Sequence, residues 1–145
     1  MNIRILWVDD DSEEKLKSVE WLINRQLKRN SNEPIRSVKS YSEAVVEIER
    51  GFKGVSPQIH ALLLDVELPD ARHEGTLARF YGFVLAEKAA ELGIRTVVFL
   101  TVVEQAMVAN LLIQLRQKYP GVYFEYYNKL DSPIEAVVND LLKVK

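Results

Sequence analysis

The chain contains no cysteine. That excludes disulfides, thiolate catalysis and cysteine-ligated zinc, and it fits a reducing cytosol. Histidine is scarce, at two residues, and neither has a partner at metal-ligand spacing. An excess of basic charge is also missing. With a net charge of −2 and an isoelectric point of about 5.8, the chain lacks the electrostatic footprint of a nucleic-acid binder. No apolar run approaches the roughly eighteen residues of a membrane span. Asp9 and Asp10 interrupt the start too early for a signal peptide. No Gly-rich loop follows the first apolar segment, which argues against dinucleotide binding. A soluble, intracellular, cytoplasmic protein is therefore expected, with neither a membrane nor a nucleic acid as partner.

What is present is an ordinary globular composition. The 145 residues are 48% hydrophobic, enough for one domain over residues 1–145 with a core that needs no staples. The stretch around which the chain is organised is residues 59–64, apolar at five of six positions and broken only by His60. It is too short for a typical helix and reads as a strand buried on both faces, as in a parallel sheet. It ends in Asp65, at the carboxyl edge where open α/β sheets place their ligands. Pro69 argues that no helix starts immediately after it.

The rest alternates in the same way. Residues 3–8 read as a strand closed by Asp9, Asp10 and Asp11. Asp11 or Ser12 caps a helix with Leu16, Val19, Ile23 and Leu27 on one face. Trp21 lies off that stripe, either on a partner surface or against a neighbouring loop. Residues 35–39 form a short, half-polar edge strand. Ser40-x-x-Glu43 is a capping box opening a helix with Ala44, Val45 and Ile48 inward, and residues 51–57 read as turn. After Asp65, residues 66–81 make a long connection carrying Arg72, His73, Glu74 and Arg79, either a lid or docking loop or a solvated elaboration. A helix over 82–92 stops at Gly93. A strand over 95–100 ends at Thr101. A helix over 104–119 turns Met107, Val108, Leu111, Leu112 and Leu115 inward. A strand over 122–127 ends near Lys129. Ser132, Pro133 and Glu135 start a final helix with Ile134, Val137, Val138, Leu141 and Leu142 inward. Five strand–helix units predict an α/β, three-layer fold: a five-stranded parallel sheet with helices on both faces. They use up the chain, so no output domain is expected.

Polar residues at strand ends distinguish this chain. Asp9, Asp10, Asp65, Thr101 and Lys129 all fall at carboxyl ends, which share one edge of a parallel sheet. Clustered carboxylates repel and need a cation, and an all-oxygen set favours Mg2+ (or Mn2+). An aspartate can attack phosphorus to give an aspartyl phosphate, while a metal and a lysine neutralise charge on the transferring group. Each residue also has an ordinary reading: acids in a helix cap, Thr101-x-x-Glu104 as another capping box, Lys129 as a solvated lysine. Chance placement of all five at the right strand ends is the weaker explanation.

Val8-Asp9-Asp10, then Leu64-Asp65-x-x-Leu68-Pro69, then Thr101 and Lys129 resemble the receiver domain of bacterial two-component response regulators, over essentially the whole chain. The resemblance implies a flavodoxin-like (βα)5 fold with strand order 2-1-3-4-5. It implies Asp65 as phosphoacceptor, with Asp9, Asp10, Asp65 and the Glu67 backbone holding Mg2+. Thr101 matches the switch hydroxyl, Lys129 the phosphate-pairing lysine, and Tyr126 the switch aromatic, with Tyr127 as runner-up. It implies a signalling phosphoacceptor rather than an enzyme, limited to its own phosphorylation and dephosphorylation. The implied partners are a histidine kinase or histidine phosphotransfer protein and a downstream protein target. The surface of the fourth helix, fifth strand and fifth helix would be remodelled, and a homodimer could form through it.

Four features depart from the family. Leu130 replaces the proline that usually follows the lysine with a cis bond; before a non-proline, cis costs about 2.5–4 kcal/mol, so trans is expected. Val102 stands where Ala or Gly is usual and is expected to crowd the phosphate site. The 66–81 connection is longer than usual before Gly82, which matches the family glycine opening the third helix. Asp11 adds a third acid. Two other readings remain: a receiver-like binding module that takes no phosphate, and a Mg-dependent aspartate-nucleophile phosphatase. The latter rests on Asp9-x-Asp11, but Glu13 stands where that family wants Thr or Val, and its later acidic pair is absent.

Overall fold

The computed structural model describes residues 4–9, 21, 25, 35–56, 58–68, 80–130 and 134–141. Five strands and four helices are defined there: β1 (Ile5–Val8), β2 (Ile35–Val38), α1 (Tyr41–Phe52), β3 (Ala61–Leu64), α2 (Tyr81–Glu91), β4 (Thr96–Thr101), α3 (Gln105–Lys118), β5 (Tyr123–Asn128) and α4 (Ile134–Leu141). Most of the helix predicted after Asp11, and the Ser132–Pro133 start of the last one, lie outside the described residues. Trp21 and Arg25 are helical, with the Arg25 guanidinium 5.5 Å from the exposed Trp21 ring.

All strand pairs are parallel, in the order β2-β1-β3-β4-β5. This is the flavodoxin-like order expected. The alternation of side chains along each strand sorts the apolar residues into two layers. Leu6, Val8, Leu62, Leu64, Val97, Phe99 and Phe124 face one side, where they pack with Ala44 and Ile48 of α1, Leu85 of α2 and Leu112 of α3. Ile5, Trp7, Leu63, Val98 and Leu100 face the other, where Val137, Val138 and Leu141 of α4 cover them. The two layers explain why β1 and β3 are apolar at every position. Both of their faces are buried. Among the described residues, no helix is long and apolar enough to cross a membrane.

Local signals act largely as read. Ser40 caps α1, its hydroxyl accepting the Glu43 N–H at 3.2 Å. β2 lies at a sheet edge, and Gly93 follows α2 with φ +93°. Two expectations are corrected. The helix starting at Tyr41 does not stop at Gly51: it runs through a buried Gly51 to Phe52, and the left-handed turn falls at Gly54 (φ 76°). Met107 does not face inward and is 56% exposed. The buried stripe of α3 is Val108, Leu112 and Leu115, and one residue before Val108 lies roughly 100° round the helix.

Candidate functional site

The strand register fixes the site. Val8 pairs with both Val38 and Leu64, and Leu64 with Phe99, so β1 and β3 end level with each other. The residues that follow continue the ladder. Asp9 N–H donates to Val38 O at 3.0 Å, and Asp65 N–H to Val8 O at 2.9 Å. β4 extends two residues beyond Phe99 to Thr101, which pairs with Asn128, and Lys129 N–H donates to Thr101 O at 2.9 Å. Two carboxylates, a hydroxyl and an ammonium thus converge on one edge from four strands.

Their side chains meet. Thr101 Oγ1 donates to Asp65 Oδ1 at 2.7 Å, and the Glu67 backbone N–H donates to the same oxygen at 3.2 Å. Lys129 Nζ donates to Asp65 Oδ2 at 3.1 Å and ion-pairs with Asp9 Oδ2 at 2.6 Å. Asp9 and Thr101 are fully buried, Asp65 is 6% exposed, and the Lys129 side chain is 8% exposed. Lys129 is therefore not a solvated strand-end lysine. Nor does Thr101 cap the following helix. It closes β4, and the residue before α3 is Glu104, which makes no side-chain cap. Buried carboxylates are costly unless paired, and the ammonium between them offsets that cost.

Tyr126 packs in the same layer as Leu64, Phe99 and Val103. Its hydroxyl donates to Val103 O at 2.7 Å, and its ring tilts against Phe99 with centroids 5.8 Å apart. Burial raises its pKa well above the usual tyrosine value, reinforced by the charges of Asp65, Glu104 and Glu67. Tyr127 faces the other layer, where its hydroxyl and that of Tyr123 both donate to the buried Asp140 of α4. Of the two tyrosines, Tyr126 is the one whose hydroxyl meets the segment that follows Thr101. The connecting residue, which nothing in the sequence signalled, is Val103. Its N–H donates to Thr101 Oγ1 at 3.3 Å while its carbonyl receives Tyr126.

Asp10 and Asp11, and the loop residues Arg72, His73, Glu74 and Arg79, lie outside the described residues. Among the described residues, no group of three or more His, Asp or Glu gathers around one point. The two carboxylates present lie close enough together for a single ammonium to contact both. Such a pair fits Mg2+, which is often held by one or two carboxylates together with phosphate oxygens and water. At Leu130, where the resemblance leads one to expect proline, the backbone N–H donates to Asn128 Oδ1 at 2.8 Å, an Asx turn that proline could not make. The Lys129–Leu130 peptide is trans, as expected. Val102 and Leu130 are both exposed.

No protein-family model matches the chain, and no curated protein matches it by sequence. In structure it is similar to a crystal structure of a mutant receiver domain of the histidine kinase CKI1 from Arabidopsis thaliana. The TM-score is 0.60 at 14% identity, over 97% of this chain and 89% of that one. At that identity the likeness is one of fold, and the fold is the receiver fold.

Proposed function

We propose that this chain is a phosphoacceptor receiver of two-component signalling, taking a phosphoryl group on Asp65 in a Mg2+-dependent reaction and switching a protein-binding surface. The observation that carries this is the convergence at Asp65: Thr101 at 2.7 Å and Lys129 at 3.1 Å, with Lys129 also bound to Asp9. An Asp65 oxygen attacks the phosphorus of a phosphohistidine or an acyl phosphate. The new O–P bond forms as the bond to the leaving imidazole or carboxylate breaks, and the product is an acyl phosphate on Asp65. Thr101 Oγ1 and Lys129 Nζ, which already donate to the Asp65 carboxylate, would then donate to the oxygens of the incoming group. Asp9 and Asp65, with Asp10 and the Glu67 backbone by resemblance, would hold the metal, which supplies charge neutralisation on the transferring group.

The readout runs through Val103. Thr101 and Tyr126 hold opposite sides of its backbone, so a hydroxyl drawn to a new phosphate would carry that loop and the tyrosine with it. On this reading the protein is a switch, not an enzyme with turnover on other substrates. Its partners are a histidine kinase or phosphotransfer protein and a downstream protein, and its setting is the cytoplasm. Incubation with Mg2+ and acetyl phosphate, followed by intact-mass spectrometry, should add one phosphoryl group, and Asp65→Asn should abolish it. An unlabelled wild type, or equal labelling of Asp65→Asn, overturns the proposal.

A further inference from the structure

Gly82 is the second residue of α2, and its N–H donates to Val66 O at 2.8 Å. A Cβ at this position would lie 2.3 Å from Asp65 O, 2.8 Å from Val66 Cα and 2.9 Å from Val66 O. All three obstacles are backbone atoms, so no side-chain rotation could relieve the overlap. The glycine is not there for its dihedral freedom, since positive φ among the described glycines occurs only at Gly54 and Gly93. It is there for space. Gly93, just beyond the other end of the same helix, is the reverse case: φ is +93° and nothing stands within 4 Å of its Cβ position.

The place of this close approach matters. Asp65 is held on one side by its N–H bond to Val8 O, and its carboxylate by Thr101, Lys129 and the Glu67 N–H. The first turn of α2 bears on the carbonyl that leads out of Asp65. We infer that Gly82 is a positioning residue for Asp65, its missing side chain letting α2 seat against the Asp65–Val66 backbone and set the carboxylate relative to Thr101 and Lys129. Any larger residue must push that backbone or lift the helix. The inference deepens the phosphoacceptor reading and rests on it for its kinetic consequence, though not for the geometry.

The test compares Gly82→Ala with Gly93→Ala, which strains the end of the same helix through its left-handed backbone but lies away from Asp65. Labelling by acetyl phosphate with Mg2+ is timed for each, and the Glu67 amide is followed by NMR because it reports on the Asp65 carboxylate. Gly82→Ala should label about 10–100-fold more slowly, as expected for a reacting group displaced by about 1 Å, with a displaced Glu67 resonance. Gly93→Ala should lose melting temperature yet label at the wild-type rate. If Gly82→Ala is too unstable at 25 °C, the comparison is made in trimethylamine N-oxide, which favours the folded state. Wild-type labelling with an unmoved Glu67 amide overturns the inference. So do rates that fall in both variants in step with melting temperature, and a Gly82→Ala that stays unfolded in the osmolyte. If the wild type itself takes no label, the phosphoacceptor reading fails, and the Glu67 amide alone decides for or against Gly82.

Discussion

Lys129 is the residue on which the electrostatics of the site turn. Its ammonium touches both Asp9 and Asp65, and all three side chains are nearly closed to water. Removing one partner from such an arrangement leaves buried charge uncompensated, at a cost typically of about 3–5 kcal/mol. Lys129→Met should therefore lower the stability measured by urea unfolding in EDTA by that order. On the Mg2+-dependent reading proposed above, Mg2+ should restore part of the loss, because a divalent cation held by the same carboxylates would replace the missing positive charge and favour the folded state. Unchanged stability in EDTA would show that the carboxylates do not depend on the lysine. A loss that Mg2+ leaves untouched would show that the metal does not sit between them. Every side chain of this triad was named from the sequence, because strand ends with polar residues are visible as interruptions of apolar runs. The bridging of both acids by one lysine was not visible, since it depends on where β5 lies relative to β1 and β3.

At the scale of the element, α1 is set by its first turn. The Ser40 hydroxyl takes the Glu43 N–H, one of the donors that a helix start otherwise leaves unmade. Ser40→Ala should cost about 1 kcal/mol, read as a lower thermal midpoint, with no effect on labelling of Asp65. A variant as stable as wild type would mean that solvent satisfies that N–H equally well. The start of α1 was legible because its capping pattern is local, whereas the same pattern at Thr101 and Glu104 caps nothing. The apolar stripe of α3 is one residue wider in the sequence than the buried stripe, which leaves out Met107, because burial is decided by how the helix rolls on the sheet. Leu111 is only half-buried for the same reason. The end of α1 falls beyond its first glycine for a related cause: a glycine can be packed inside a helix, and Gly51 is, while the turn falls at Gly54.

For the whole molecule, the protonation of buried groups predicts how stability varies with pH. Burial raises the pKa of Tyr126, helped by the charges of Asp65, Glu104 and Glu67. It also raises that of Tyr127, helped by the hydrogen bond to Asp140. Between the unfolded tyrosine value of about 10 and these raised values, the unfolded chain has lost protons that the folded chain keeps. Stability should therefore fall as pH rises through 10 and beyond. On the acid side, desolvation and then the Arg4 charge lower the pKa of His60, whose Nδ1 accepts the Arg4 N–H at 3.0 Å. Below about 6.5 the unfolded chain binds the proton first, so stability should fall as pH falls toward the depressed value. Urea midpoints measured from pH 5 to 11 should show a plateau with losses at both ends, and Tyr126→Phe should flatten the alkaline one. An alkaline limb identical in Tyr126→Phe would remove Tyr126 from the explanation.

The alternation of short apolar runs with amphipathic stretches sufficed to determine a parallel α/β sheet, the strand ends where chemistry could gather, and the residues worth watching there. These are properties of period and punctuation, and both are written locally. The tertiary structure alone decided which of two adjacent tyrosines bonds to Val103 and which to Asp140, that Val103 bonds to both Tyr126 and Thr101, and that α2 lies against the backbone of Asp65 where Gly82 has no side chain. Each depends on distances between segments far apart along the chain, and those are settled by the sheet register and by how the helices pack on it.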